Sequence, residues 1–130
     1  RRLCWLVRRP DAPPAGGVRL RLSPVISGWA ARLDPALRPE LWDPVRPLYD
    51  AGRYAEAADK DLELIEAHPY QAYLYFNVAC CESLAGRTAD AIGHLRQAID
   101  KWEGCRDTAK EDADFDPIRD EPAFADLIGR

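Results

Sequence analysis

Four cysteines and two histidines are the side chains of this chain best suited to nucleophilic or metal chemistry. The cysteines stand at positions 4, 80, 81 and 105, and the adjacent Cys80 and Cys81 belong to no C-x-x-C or H-x-x-x-H pattern. Structural zinc sites normally pair their ligands at such short spacings, so the sequence predicts no metal centre. Neighbouring cysteines in an apolar helix are more often small buried hydrophobes, which fits a reducing, cytoplasmic compartment.

Catalysis by one of these groups would need a base within hydrogen-bonding reach of a nucleophile. The sequence holds no G-x-S-x-G, H-E-x-x-H or glycine-rich phosphate loop that would supply such a pair. We therefore predict that the protein is not an enzyme and uses no cofactor. A cysteine-dependent enzyme, with Cys80 or Cys81 paired to a histidine, is the least favoured alternative.

An alternating acidic run, Asp112, Asp114 and Asp116, invites a calcium hypothesis. A calcium loop of the EF-hand type needs a glycine at its sixth position and an acid at its twelfth. Pro117 and Ala123 occupy those positions here, so the match fails. We assign the run to helix capping and solvation instead.

Composition and charge narrow the class of protein further. Of the 130 residues, 47% are apolar and 31% are charged, which is typical of one soluble domain or a short stack of repeats. No apolar run reaches the roughly 18–20 residues of a membrane-spanning helix, so no membrane segment is predicted. The net charge is −4, and residues 49–130 carry nine basic and 18 acidic side chains. An acidic body of this kind argues against a nucleic-acid partner.

A repeat is visible in the spacing of two glycines. Gly52 and Gly86 are 34 residues apart, and an arginine follows each of them. The segments Y-A-E-A at 54–57 and T-A-D-A at 88–91 then continue at the same offset. A fixed period of this length is typical of stacked helical repeats.

Each copy of the repeat reads as two helices joined at its glycine. Gly86 suits the left-handed residue that ends a helix, and we expect Thr88 to cap the next one. Ala57 and Ala91 are small enough to let the paired helices cross closely. The apolar stripe in the second helix of the later copy follows the i, i+1, i+4, i+7, i+8 spacing. Its residues are Ala91, Ile92, Leu95, Ala98 and Ile99.

The segment 72–99 resembles a tetratricopeptide repeat, and 38–69 resembles an earlier copy of it. The residues that carry the resemblance in the later copy are Tyr75, Val78, Ala79, Gly86, Ala91, Leu95 and Ala98; those in the earlier copy are Gly52, Tyr54, Ala57, Leu64 and Pro69. The resemblance implies an all-α stack of antiparallel helix pairs. Pro44 and Pro47 interrupt the first helix, so we expect it to be shortened to about 44–51.

The stretch 109–129 resembles the end segment that follows tetratricopeptide repeats in many bacterial proteins. We predict repeats at about 38–69 and 72–103 and a cap at 105–130, with a short helix near 106–112. Asp116–Pro117 and the acids before Pro122 read as helix starts. Five apolar residues are expected to cover the last repeat: Phe115, Ile118, Phe124, Leu127 and Ile128. Residues 1–37 are predicted to be an irregular N-terminal extension or linker.

The resemblance also implies a function, because the concave surface of such stacks usually holds a peptide or protein segment. The residues carried over to that surface are Tyr73, Phe76, Asn77, Cys80, Ser83, Trp42, Arg46 and Tyr49. Asn77 stands where related repeats place an amide that bonds the ligand backbone, whereas Tyr73 and Cys80 replace the lysines of carboxylate-clamping relatives. We therefore predict a non-catalytic protein-binding scaffold.

One alternative is a structural module that caps or dimerises a larger polypeptide, and a homodimer is left open. In another, the eight residues pack against the chain's own N-terminal segment or its cap.

Overall fold

The computed structural model describes residues 39–129, and every regular element in that range is helical, as predicted. A 3-10 helix, the N-terminal turn, comes first at Pro39–Trp42, and a second, the cap turn, spans Ala113–Ile118. The α-helices are α1 at Arg46–Asp50, α2 at Tyr54–Ala67, α3 at Ala72–Ala85, α4 at Thr88–Lys101, α5 at Gly104–Glu111 and α6 at Pro122–Ile128. The predicted extension at 1–37 lies outside the described residues.

The two glycine corners have nearly the same backbone geometry. Gly52 and Gly86 are left-handed, with φ of 77° and 82°, which a residue with a Cβ adopts only with strain. The next residues, Arg53 and Arg87, share a φ of −89° with ψ of 65° and 66°. Each of these arginines donates its backbone N–H to the carbonyl five residues earlier, at 2.9 and 2.8 Å. This bond belongs to the Schellman motif, so the 34-residue sequence period recurs as a helix–corner–helix geometry.

Several predicted helix starts are wrong by a small margin, among them that of α5, which begins at Gly104 rather than near residue 106. Arg87, not Thr88, precedes α4, and no side chain caps it. The reason is the corner itself, because the carbonyl of Arg87 already accepts the first helical bond, from Ala91 at 2.9 Å. The first helix, α1, is shorter than the expected 44–51, since it begins only at Arg46 with Pro47 in its first turn.

Helix α3 is the centre of the fold. Twelve of its 14 residues, from Ala72 to Ser83, are buried. Helices α2 and α4 and the cap turn all pack against it, and a helix that is apolar on most sides needs such cover. Ala57 and Ala91, the expected crossing residues, are fully buried. The five stripe residues of α4 are buried as predicted.

The C-terminal cap covers α3 with aromatic side chains. Phe76 of α3 meets Phe115 edge to face at 5.5 Å between ring centroids, and Phe124 lies 5.5 Å beyond Phe115. Of the five residues expected to cover the repeat, all but the half-buried Leu127 are buried. The cap turn begins earlier than Asp116–Pro117, because the side chain of Asp112 accepts the N–H of Asp114 at 3.0 Å.

Candidate functional site

We call the eight residues predicted to bind a partner the inner-face residues. Five of them lie on α3 at positions i, i+3, i+4, i+7 and i+10, so they share a face of that helix. The other three come from the N-terminal turn and α1. All except Arg46 are buried, and the side chain of Arg46 is 29% exposed.

Asp114 joins the inner-face residues to the cap. Its Oδ2 accepts a hydrogen bond from the hydroxyl of Tyr49 at 2.6 Å, and its carbonyl accepts one from Ser83 Oγ at 2.7 Å. Tyr49 in turn meets the ring of Trp42 edge to face at 5.5 Å. One residue of the cap turn is therefore bound by both α1 and α3.

Three donor atoms of this region lie close enough to hold one cation. The thiol of Cys80 and the carboxylates of Asp112 and Asp114 lie within 4.8 Å of one another, and all three residues are buried. Hydrogen bonds to Asp114 Oδ2 and Asp112 Oδ1 already make these carboxylates part of the cap turn's structure. The third acid of the run, Asp116, is exposed and pairs with Arg119 at 3.1 Å. Capping and solvation therefore account for Asp112 and Asp116, whereas Asp114 is fully buried and serves neither role.

The buried thiols have carboxyl neighbours. Cys80 Sγ lies 4.0 Å from Asp112 Oδ2, and Cys81 Sγ lies 3.7 Å from Asp61 Oδ2. Reactive cysteines are activated by positive neighbours such as lysine, arginine or an imidazolium. Among residues 39–129, the hydrogen bond that His94 makes goes to Glu82 and not to a thiol.

His94 and Glu82 connect α4 to α3. Their Nδ1 and Oε1 atoms are 2.6 Å apart, and Glu82 is only 1% exposed. The hydrogen bond and the charge of Glu82 raise the pKa of His94 above 6.5, although burial opposes the shift. The positive charge of the His94 imidazolium therefore compensates the buried carboxylate of Glu82, which has little access to water.

Asp61 is a buried acid that the sequence reading missed. It lies on α2 with 0% exposure, between Trp42 and Cys81. Burial raises its pKa well above 3.8; Trp42 and Cys81 lower it by smaller amounts, and the charge of Glu82 raises it further. The repeat offered a signal for it, because the residue 34 positions later is the apolar Leu95.

The part of the chain that the structure describes contains no helix both long and apolar enough to cross a membrane. No protein-family model, curated protein or solved structure matches the chain. The resemblance to tetratricopeptide repeats therefore stays a prediction from the sequence.

Proposed function

We propose that this chain is a non-catalytic helical-repeat module, of the tetratricopeptide type, that binds a segment of another protein. The observation that carries the proposal is the pair of matching corners, Gly52 and Gly86, placed 34 residues apart. Repeats of this kind build a shared core by stacking and leave one face for recognition. The buried cysteines Cys80, Cys81 and Cys105 fit a cytoplasmic location.

Contacts of the cap turn support a proposal for the kind of segment that the inner-face residues would bind. Phe115 packs against Phe76, and the acid before it, Asp114, is bound by Tyr49 and Ser83. The inner-face residues therefore contact an aromatic side chain that follows an acidic residue, and we expect a bound segment to carry the same pair. In this conformation a partner can contact the face at its edge, where the guanidinium of Arg46 lies 5.9 Å from the Trp42 ring centroid. Arginine and tryptophan are enriched among the residues that dominate binding energy.

Peptide selection tests this proposal without assuming a partner. A random peptide library would be selected on the immobilised full chain, and the recovered peptides would be titrated by calorimetry. We expect micromolar affinity, about 8 kcal/mol, and at least about a tenfold loss in an Arg46→Ala variant. Arg96→Ala, at an exposed position of α4, is the matched control and should bind normally.

Two results would contradict the proposal: no peptide that binds more tightly than millimolar, or an equal loss of affinity in both arginine variants. A Phe76→Ala and Asn77→Ala variant is unsuitable here, because both residues are fully buried and the change would test folding.

A structural role, as a cap or dimerisation module of a larger polypeptide, is the second candidate. The burial of seven of the eight inner-face residues favours it, since residues that fill the core serve the fold first. A dimer that uses Trp42 and Phe76 would need both to leave the core. Sedimentation equilibrium of the full chain separates the candidates: a stable dimer that selects no peptide supports the structural role, and a peptide-binding monomer supports the first.

A further inference from the structure

The site of Asp61 is chemically unusual for the interior of a small helical domain. The residue is fully buried, and its Oδ1 has no hydrogen-bond partner among the described residues. The indole Nε1 of Trp42, also buried, has none either, although the indole acts on the Asp61 carboxyl. A buried polar atom without a hydrogen-bond partner lowers the free energy of unfolding by about 1–3 kcal/mol, so these unpaired atoms destabilise the closed fold.

The groups around Asp61 offer little support for a negative charge. From α3, Cys81 and Glu82 act on it, the first as a weak donor and the second as a like charge. His94 of α4 is bound to Glu82 and balances that residue. From the N-terminal side, Trp42 faces the carboxyl, and Tyr49 of α1 is bound to Asp114. No cation is among the described groups that act on Asp61.

An ionised Asp61 would therefore need water, and the packing shows which element would yield to admit it. Helix α2 packs far more extensively on α3 than on the five-residue α1. The segment 39–50 also carries Trp42, which lies directly against the carboxyl. Departure of this short segment is thus an easier route to hydration than separation of α2 from α3.

We propose that Asp61 is a proton-operated latch: its protonated carboxyl keeps the segment 39–50 seated on α2 and α3, and loss of the proton releases that segment. The release would also withdraw Tyr49 from Asp114, which would uncover one end of the inner face. The inference concerns this chain's own conformation and does not depend on the proposed function.

The latch has a quantitative signature. In the open form the carboxyl would return to an ordinary acid, so opening at a pH between the ordinary value of 3.8 and the folded-state pKa releases one proton. One released proton makes the opening equilibrium about tenfold more favourable per pH unit. Once Asp61 is ionised in the closed form as well, the dependence on pH ends.

Hydrogen exchange of the full chain, read by mass spectrometry over peptides covering 39–50, tests the latch at several pH values. After correction for intrinsic exchange, we expect the opening constant in the native chain to rise about tenfold per pH unit in part of the range above about pH 5. Asp61→Asn keeps the shape of the side chain but not its titration, and it should flatten the dependence. Asp59→Asn, an exposed position on the same helix, should keep the native slope.

His94 titrates in both proteins, so only a difference between their slopes can be assigned to Asp61. Equal slopes of the opening constant against pH in the native chain and in Asp61→Asn would therefore overturn the proposal. Infrared spectroscopy provides a second measurement if the Asn variant does not fold. A protonated carboxyl band of the native chain that persists above the ordinary titration range of aspartate and disappears as 39–50 opens supports the latch. Loss of that band within the ordinary range of aspartate, before 39–50 opens, overturns it.

Discussion

The corners of the two helix pairs have nearly the same geometry, but the pairs differ in how many of their residues are buried. The corners at Gly52 and Gly86 are alike to within a few degrees in φ. Yet α1 has five residues, one of them buried, where α3 has 14 with twelve buried, and α2 buries three residues where α4 buries five. The comparison teaches that a corner is set locally, by one glycine and its backbone bonds, whereas burial depends on how many neighbours a helix has.

The equivalent positions Asp61 and Leu95 make the same point in chemical terms. Both are fully buried on the second helix of their pair. Leu95 contributes apolar area to a core closed on several sides, whereas Asp61 places a carboxyl against Trp42 at the edge of the described fold. The second pair therefore resembles an ordinary hydrophobic core, and the first combines packing with a group that titrates.

The largest expected effect comes from leucines on the second helix of each pair. Leu95→Ala removes a fully buried side chain and should lower the free energy of unfolding by about 2–5 kcal/mol. Leu62→Ala, at a half-buried position of α2, should cost about 1 kcal/mol. Urea unfolding of both variants measures the difference. Equal losses would mean that the two pairs are buried to the same depth after all.

Alanine at the two corner glycines tests whether they are truly equivalent. Gly52→Ala and Gly86→Ala should each cost about 1–2 kcal/mol, because both positions need a left-handed backbone. Gly93→Ala, inside α4 with open space around the new Cβ, is the control and should stabilise by about 0.5–1 kcal/mol. Thermal unfolding of the three variants gives the order, and a corner change without cost would end the equivalence.

The pair formed by His94 and Glu82 gives the second helix pair a dependence on pH. Because the folded-state pKa of His94 is raised above 6.5, its contribution is complete below that value and is lost as pH rises through the higher folded-state value. We expect His94→Gln to remove about 1 kcal/mol of the stability difference between about pH 5.5 and about pH 8.5. Asp61 is unchanged in both proteins, so the difference between their pH profiles isolates His94. Parallel profiles would show that the pair contributes nothing.

The smallest effect is expected at the ion pair that joins the two helix pairs on the surface. Arg87 and Asp59 are 2.8 Å apart, and their side chains are 34% and 62% exposed. Exposed pairs contribute about 0–1 kcal/mol, so Asp59→Asn should change the unfolding free energy by less than about 0.5 kcal/mol. A loss above about 1 kcal/mol, measured by urea unfolding, would show that surface charge helps to hold the pairs together.

Much of the second pair could be predicted from sequence, because its signals are local. Gly86 marked the corner, and the stripe from Ala91 to Ile99 marked the buried face of α4. The start of α4 could not be placed at the right residue, since the Schellman bonds of the corner, rather than a side-chain cap, determine it.

The site was harder to predict, because its contacts join distant parts of the chain. The five inner-face residues on α3 share one face of that helix by their spacing, and their role in binding stays a prediction. No local pattern indicates that Asp114 reaches Tyr49 across 65 residues, or that Phe115 covers Phe76. Asp61 was overlooked because a single acid on an apolar stripe reads as a surface residue until its neighbours are placed.

The bond between Tyr49 and Asp114 has a consequence for how this fold can change in evolution and in unfolding. In an open solenoid each repeat contacts only its nearest neighbours, so a repeat can be added or removed without breaking contacts between distant repeats. Here the first α-helix is tied to the C-terminal cap across the intervening helices. An inserted unit would separate α1 from the cap and break this bond, so the bond favours the present number of helices between them. In unfolding, departure of the segment 39–50 must break the same bond.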